Sequence, residues 1–199
     1  LCRNLRTLLT DIDDTITENG RLPASTFDNL WALQAAGVET VIVTGRPAGW
    51  CDHIARMWPV AGVVGENGAF TFSYNRKARH MSRTYLIPEA ERLEGRRRLE
   101  RIRERVLREV PRCAIASDQS FRVADLAIDY REDAGPLSDE EIEAVCRIIE
   151  SEGANYKVSS IHINCWYGSF DKVSGVRRFL GGRGRDLDRP EVQLSLIHI

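Results

Sequence analysis

Acidic residues follow the first apolar segment of the chain at a spacing that suits a metal-assisted reaction. Residues 5–10 are apolar-rich and predict a buried strand, and Asp11-Ile12-Asp13-Asp14-Thr15 follows directly. Two carboxylates at the end of a buried strand repel each other and lack water, so we expect a cation to hold them ionised. Mg²⁺ is the natural candidate, because it prefers one or two carboxylates, water and phosphate oxygens. The alternative is an Asp-rich turn or helix cap, which is common on protein surfaces.

Two further polar segments stand at predicted strand or helix ends. Thr44-Gly45-Arg46 follows the apolar run 41–43, and Pro47 then suits the first turn of a helix. The N–H groups of that helix start and the Thr44 hydroxyl would hold a phosphate oxygen, although Thr-Gly is also an ordinary strand-to-helix turn. Lys172 precedes a later helix, where a fixed cation would screen phosphate from the carboxylates. A lone Lys at a helix start is otherwise usually solvated.

The order of the predicted elements brings these segments to one edge of a sheet. Apolar strands alternate with amphipathic helices up to residue 64, which predicts an α/β fold with a doubly wound, Rossmann-like parallel sheet and right-handed crossovers. The carboxyl ends of parallel strands meet at one edge, and open α/β sheets bind their ligands there.

The pattern changes after Gly65-Glu66-Asn67-Gly68. An antiparallel pair, a long charged helix over 88–110, further strands and a second helix have the mixed order of a small α+β lobe. We therefore predict an inserted cap at 88–160, within a core formed by 1–87 and 161–199. Two Ser-x-x-acid patterns, Ser25 with Asp28 and Ser138 with Glu141, predict capped helix starts.

The composition excludes several classes of protein. The 199 residues carry 28 basic and 29 acidic side chains, and a net charge of −1 argues against a nucleic-acid binder. The five cysteines are scattered, which favours a reduced, cytoplasmic setting. No apolar run approaches the roughly 18 residues of a membrane span. We expect no membrane partner, and the sequence leaves the oligomeric state open.

Two other sets of polar residues favour structural interpretations. Eight arginines between residues 92 and 108 alternate with glutamates at helical pairing distances, which predicts a solvated helix with salt bridges rather than an anion-binding face. His162 and Asn164 alternate with apolar residues, which places them on the polar face of a strand. Exposure without function is the favoured interpretation there, and contact with a substrate is the alternative.

The order of the motifs resembles that of the haloacid dehalogenase-like hydrolases. Asp11-Ile12-Asp13-Asp14-Thr15 is similar to the first family motif, Thr44 to the second and Lys172 to the third. The insertion falls after the third strand, and residues 65–69 look like the segment that precedes the large type-2 cap of subclass IIB. This subclass includes phosphatases of trehalose, sucrose and mannosyl-glycerate phosphates. The resemblance implies a magnesium-dependent phosphatase that acts on a small phosphorylated sugar or polyol.

The resemblance also implies a role for each matching residue. Asp11 would attack phosphorus and form an aspartyl-phosphate, and Asp13 would act as general acid and then as general base. Thr44 and Lys172 would bind the transferring phosphoryl group. The metal would be held by an Asp11 oxygen and the Asp13 backbone carbonyl. The sequence positions expected to contact the substrate at the sheet edge are Thr44, Gly45, Arg46, Asn67 and Lys172.

The chain departs from the family at the fourth motif, a Gly-Asp-x-x-Asn-Asp type segment that supplies further acidic metal ligands. Asp186 and Asp188 lie in a polar loop ahead of the next predicted strand, so we do not assign them as ligands. Residues 194–199 look like foreign sequence joined to a truncated gene. We therefore expect this chain to be C-terminally truncated, to bind magnesium weakly and to turn over little substrate.

Three alternatives to a hydrolase stay open on sequence alone. A phosphomutase would use the same aspartyl-phosphate and pass its phosphoryl group to a sugar hydroxyl. A non-catalytic sugar-phosphate-binding module would explain the missing motif. A signalling receiver domain also combines acids with Thr and Lys, but its phospho-acceptor follows a later strand and it has no large inserted lobe. An inserted lobe suits a small ligand better than a folded protein substrate.

Overall fold

The computed structural model describes residues 4–195, which form two compact units. Of the described residues, 4–86 and 170–195 belong to the first unit and 87–169 to the second. Within the described part of the chain, no helix combines the length and the apolar character that crossing a membrane requires.

The first unit is built on a six-stranded sheet. Its strands are β1 (Thr7–Thr10), β2 (Glu39–Val43), β3 (Gly62–Gly65), β4 (Phe70–Asn75), β5 (His80–Tyr85) and β10 (Val192–Ser195). They are arranged in the order β10-β1-β2-β3-β4-β5. The first four strands of this order run parallel, and β4 and β5 join them as an antiparallel hairpin. The predicted α/β fold with a mostly parallel, Rossmann-like sheet is confirmed.

Three helices belong to this unit: α1 (Ala24–Ala35), α2 (Ala48–Met57) and α5 (Lys172–Gly181). Helix α5 packs its apolar stripe, which includes Val176 and Leu180, onto Leu9, Val41 and Val64 of the central strands. These strands are nearly wholly apolar because helices cover both faces of a doubly wound sheet. Register aligns the ends of β1, β2 and β3, so the residues that follow them share one edge.

The helix starts differ in how well local sequence predicts them. Helix α1 begins after Pro23 and has no side-chain cap, so the predicted capping box of Ser25 with Asp28 is wrong. Proline already fixes the extended conformation needed before a helix, which places Ser25 inside the first turn. The predicted box of Ser138 with Glu141 is confirmed at the start of α4 (Asp139–Ser151). Helix α5 has a further box, formed by Asp171 and Ser174.

The second unit combines two helices with an antiparallel sheet. Its strands are β6 (Ala114–Ile115), β7 (Asp125–Asp129), β8 (Asn155–Val158) and β9 (His162–Trp166), in the order β6-β7-β9-β8. The helices α3 (Glu89–Glu109) and α4 pack residues such as Ile102, Val106 and Ile149 against this sheet. On the exposed face of α3, Glu94 pairs with Arg97 and Glu100 with Arg103, as expected of a solvated, salt-bridged helix.

The second unit extends further along the chain than the predicted cap. The sequence predicts a return to the core at residue 161, whereas the structure keeps residues up to 169 in the second unit. The reason is β9, which pairs with β7 on one side and β8 on the other and is therefore central to this sheet.

The predicted exposure of the polar residues of β9 is also wrong. His162 is 3% exposed and Asn164 is 4% exposed. The Asn164 amide donates to Asp125 Oδ2 at 3.0 Å, and His162 Nε2 lies 3.0 Å from Glu132 Oε2. The helices pack on the face of β9 that carries Ile163 and Cys165, and on the opposite face Asn164 is buried because it is hydrogen-bonded to Asp125.

Asp129, at the end of β7, organises the loop that follows it. Each of its carboxylate oxygens accepts two main-chain N–H bonds, from residues 131 and 132 at Oδ1 and from residues 133 and 134 at Oδ2, at 2.8–3.0 Å. Burial by itself raises the pKa of Asp129, but these four hydrogen bonds outweigh it and hold the pKa below its ordinary value. The ionised carboxylate therefore stabilises the folded loop.

We predict that Asp129→Asn removes a stabilisation that depends on pH. Because the folded-state pKa lies below the unfolded value of about 3.9, the carboxylate stabilises the fold above that value and loses this effect as pH falls through the folded pKa. The variant should lower the unfolding free energy at pH 7 by about 1–3 kcal/mol and should flatten the decline below about pH 4. Urea denaturation at a series of pH values measures both effects. The matched control, Asp133→Asn in the same loop, removes an exposed carboxylate that accepts one hydrogen bond, from Ser117, and should cost less than Asp129→Asn.

Candidate active site

The polar residues predicted to do chemistry meet at the carboxyl edge of the parallel strands. Asp11 follows β1, Thr44 follows β2 and Glu66 follows β3, while Lys172 opens α5. The sequence predicts this edge because buried parallel strands end there and ligands bind beyond their carboxyl ends.

Asp11 and Lys172 form an ion pair across 161 positions of the chain. Lys172 Nζ donates to Asp11 Oδ2, and the main-chain N–H of Ile12 donates to Oδ1 at 2.8 Å. Asp11 is 8% exposed, so its charge has little water to stabilise it and depends on these donors. The Asp171–Ser174 capping box fixes the first turn of α5 and therefore the position of Lys172. The structure thus brings together the first and third predicted motifs.

Asp13 is paired with Arg46. Arg46 Nε lies 3.1 Å from Asp13 Oδ2, and one terminal nitrogen lies 2.8 Å from Oδ1, so the contact is a two-oxygen fork. The Arg46 guanidinium also lies over the Trp50 ring, 4.6 Å from its centroid. Arg46 is predicted from the sequence as a substrate contact, and in the structure its guanidinium instead holds Asp13. The pairing fixes the carboxylate group of Asp13 in one orientation.

Thr44 and Asn67 place two donors at the same edge. Thr44 is fully buried, its hydroxyl oxygen accepts from the main-chain N–H of Arg46 at 3.1 Å, and its hydroxyl proton can point to a ligand oxygen. The main-chain N–H of Asn67 donates to the Thr44 carbonyl at 3.2 Å. Asn67 Nδ2 is buried and has no hydrogen-bond partner among residues 4–195, and the same holds for the hydroxyl of Thr15. Buried donors normally find an acceptor, so a ligand oxygen at this edge would supply the missing hydrogen-bond partner of Asn67 and of Thr15.

A comparison with protein families agrees with this geometry. Residues 8–92 match the model of the haloacid dehalogenase-like hydrolase family. The matched segment contains Asp11, Asp13, Thr44, Arg46 and Asn67, in the elements that position them. Over this segment the chain is similar to the haloacid dehalogenase-like hydrolases. Lys172 lies outside that segment, and its contact with Asp11 comes from the fold.

Among curated proteins, the chain is 35% identical over 66 residues to a phosphoglycolate phosphatase of Methanoculleus marisnigri. The match covers 32% of this chain and spans 28% of that relative's length.

Solved structures share the fold of this chain. Protein 0175 of Thermoplasma acidophilum superposes with a TM-score of 0.73 at 16% identity, over 96% of this chain and 76% of that one. A subclass IIB sugar phosphatase superposes with a TM-score of 0.59 at 16% identity, over 95% and 79%. A haloacid dehalogenase-like hydrolase of Bacteroides thetaiotaomicron gives 0.63 at 15% identity, over 96% and 80%.

The donors around Asp11 and Asp13 suit a magnesium ion as part of a larger ligand set. A carboxylate oxygen has two lone pairs, so the Asp11 oxygens that accept from Ile12 and Lys172 can still bind a cation. Among residues 4–195, no group of three or more His, Cys, Asp or Glu side chains is placed to share a metal. Two carboxylates are compatible with Mg²⁺, which commonly completes its shell with water and substrate phosphate. The magnesium site stays a prediction.

Sequence reasoning missed the role of Glu66. Its side chain is fully buried, and Oε1 accepts from the main-chain N–H of Ala48 at 2.9 Å, at the start of α2. Its own N–H donates to the Arg46 carbonyl at 3.3 Å. Helix α2 has no side-chain cap of its own, so Glu66 supplies from the next loop the negative group that a helix N-terminus favours. An acid after the third buried strand was the available signal, but its partner depends on the tertiary fold.

Gly68 lets the loop after β3 contact the start of α5. It has a φ of +107°, and a Cβ added there would lie 1.9 Å from the Asp171 carbonyl oxygen. Gly175, one helical turn further, lies against the same loop, since its added Cβ would be 2.9 Å from the Gly68 Cα. Close backbone contact at these two glycines therefore fixes how near Lys172 comes to the strand ends.

We predict that Gly68→Ala destabilises the fold by roughly 2–4 kcal/mol, because it combines a strained φ with a clash against main chain. Thermal and urea denaturation measure this loss. The control is Gly181→Ala at the end of α5, where an added Cβ meets no atom within 4 Å. That variant should match or slightly exceed the parent stability, since Ala is the better helix former. Equal effects at the two glycines would contradict the close-contact argument.

We further predict that Glu66→Ala costs about 1–3 kcal/mol, because it leaves the buried N–H of Ala48 without its acceptor. Glu66→Gln keeps an acceptor and removes only the charge near the helix N-terminus, so its cost should be below about 1 kcal/mol. Urea denaturation of both variants tests the order, with exposed Glu18→Ala as the control. A cost no larger than that of the control would refute the capping role.

Proposed function

We propose that the site performs magnesium-dependent hydrolysis of a small phosphomonoester through an aspartyl-phosphate on Asp11. The observation that supports this proposal most is the Asp11–Lys172 ion pair at the carboxyl edge of the sheet, next to the Asp13–Arg46 pair. A nucleophile, a fixed cation for the phosphoryl group and a second, oriented carboxylate are the groups that such a reaction needs.

In the first step, an Asp11 carboxylate oxygen attacks phosphorus while the bond from phosphorus to the ester oxygen breaks. Lys172 and the Thr44 hydroxyl bind the equatorial phosphoryl oxygens, where charge accumulates. Asp13, acting as the general acid, gives a proton to the leaving oxygen. The products of this step are the alcohol and the Asp11 acyl phosphate.

In the second step, water replaces the alcohol. The Asp13 carboxylate takes a proton from that water, whose oxygen attacks phosphorus and breaks the bond to Asp11. Arg46 holds both carboxylate oxygens of Asp13 in place for this role. Inorganic phosphate leaves, Asp11 is again a carboxylate, and Asp13 carries the proton for the next cycle.

Asp11 and the Asp13 main-chain carbonyl would hold Mg²⁺, as the family resemblance implies. When bound, the ion would neutralise phosphate charge and align the phosphoryl group with Asp11. Asn67 and Thr15, whose buried donors have no partner among residues 4–195, are suited to bind the remaining ligand oxygens.

The proposed substrate is a small phosphorylated sugar or polyol. The fold shared with a subclass IIB sugar phosphatase supports this class. The sequence match to a phosphoglycolate phosphatase makes 2-phosphoglycolate the second substrate to test. A phosphomutase is the alternative function, because the same acyl phosphate can transfer its phosphoryl group to a sugar hydroxyl instead of water.

We predict that phosphate release from sugar phosphates, polyol phosphates or 2-phosphoglycolate requires Mg²⁺ and falls on the order of thousandfold or more in Asp11→Asn. The matched control is Asp14→Asn, an exposed acid of the same loop, which should retain the parent activity. Product analysis accompanies the assay: inorganic phosphate indicates a hydrolase, and an isomeric sugar phosphate indicates a mutase.

If turnover is too slow to measure, the proposed aspartyl-phosphate can be detected directly. The protein is quenched in acid, digested and analysed by mass spectrometry. A phosphorylated peptide that spans residue 11 should be found in the parent chain and should be missing from the Asp11→Asn variant. Substrate binding without phosphate release and without the phosphorylated peptide would reject catalysis and favour a binding module. Full activity in Asp11→Asn would reject Asp11 as the nucleophile.

A further inference from the structure

A groove in the first unit lies between the β4–β5 hairpin and the C-terminal half of α5. Its volume is about 560 Å³, within the range of small-molecule sites. We call it the arginine groove, and its lining residues are Thr71, Ser73, Thr84, Arg177, Arg178, Phe179, Gly181, Gly182 and Arg183. None of these residues belongs to the candidate active site. Lys172 lies at the opposite end of α5, a ten-residue helix about 15 Å long.

The sheet side of the arginine groove is a row of hydroxyl groups. Along β4, Thr71 and Ser73 alternate with Phe70 and Phe72, whose rings stack 4.3 Å apart. Because alternate residues of a strand point to opposite faces, the two hydroxyls share the face away from those rings. Thr84 is the direct partner of Thr71 on β5 and adds a third hydroxyl to that face. These groups donate and accept hydrogen bonds, as a hydroxylated ligand requires.

The helix side of the arginine groove is strongly basic. Three guanidinium groups line it, and no acidic residue does. Arg177 is held by Asp188 at 3.0 Å, and Arg183 donates to the Ala61 carbonyl at 3.0 Å. Arg178 makes no ion pair and no side-chain hydrogen bond within residues 4–195, so its fork of donors is available to a ligand.

The charges of the arginine groove favour an anion despite its place at a helix end. Arg177 is ion-paired with Asp188 and Arg183 lies 3.6 Å from Glu39, so Arg178 carries the charge that no carboxylate of the described residues offsets. Its full positive charge exceeds the partial charge of about −0.5 at the C-terminus of α5. The groove is also far larger than one phosphate, which leaves room for a hydroxylated group beside it. We propose that the arginine groove binds a small phosphorylated polyol, with its phosphate on Arg178 and its hydroxyl groups against Thr71, Ser73 and Thr84.

The test is an amide NMR titration with glycerol 3-phosphate and with inorganic phosphate, without divalent metal so that no turnover occurs. Binding in the arginine groove should shift the amide signals of Thr71, Ser73 and Thr84 saturably in the parent chain. The same shifts should persist in Lys172→Ala, which weakens the candidate active site. Glycerol 3-phosphate should bind more tightly than inorganic phosphate, because only it can use the hydroxyl row.

Arg178→Gln should weaken this binding roughly tenfold, the loss expected for one charge-assisted contact. The matched control is Arg79→Gln at the turn of the same hairpin, an exposed position outside the groove with the same change in net charge. The control should bind as the parent does. Shifts confined to the surroundings of Thr44 and Lys172, or equal weakening in both arginine variants, would overturn the proposal.

Discussion

The first unit depends on neutralising two carboxylates that its sheet brings to one edge. Asp11 is almost buried and Asp13 is two residues away, so each would be destabilised by the other and by lost hydration. The fold supplies one cation for each: Lys172 from the start of α5 and Arg46 from the loop after β2. The first of these contacts closes a loop of 161 positions, so the second unit is inserted between two residues that must meet.

Much of the backbone strain of the first unit surrounds this pair of contacts. Asp14, Glu66 and Asn67 have positive φ angles of 56°, 42° and 56°, and each lies in a loop beyond the end of β1 or β3. Such conformations are costly for residues with a side chain and persist where the surroundings over-determine them. At Glu66 the compensation is visible, because the same residue caps α2 and accepts the Ala48 N–H. The contacts of Glu66 therefore hold the loop after β3, which carries Asn67, against the loop that carries Arg46.

The sequence predicts what depends on local pattern and fails where the outcome depends on pairing between distant segments. Apolar strands, the edge at which Asp11 and Thr44 lie, and the Ser138 cap all follow from short-range signals. The end of the second unit at residue 169 does not, because β9 is assigned by its partners β7 and β8. The sequence does not predict the partners of Arg46 and Glu66 for the same reason. The type of a side chain limits which contacts it can make, and the fold selects among them.

Charge balance explains why the proposed reaction needs a divalent cation. The four side chains Asp11, Asp13, Lys172 and Arg46 sum to zero, so the site is electrostatically balanced before a ligand binds. A phosphoryl dianion adds two negative charges where Asp11 has little contact with water, and Coulomb repulsion between the nucleophile and phosphate then opposes attack. The donors of Thr44 and Asn67 are neutral and offset only part of this charge. In the proposed reaction, a Mg²⁺ ion bound by Asp11 would restore the balance and would allow Lys172 to bind the phosphoryl oxygens.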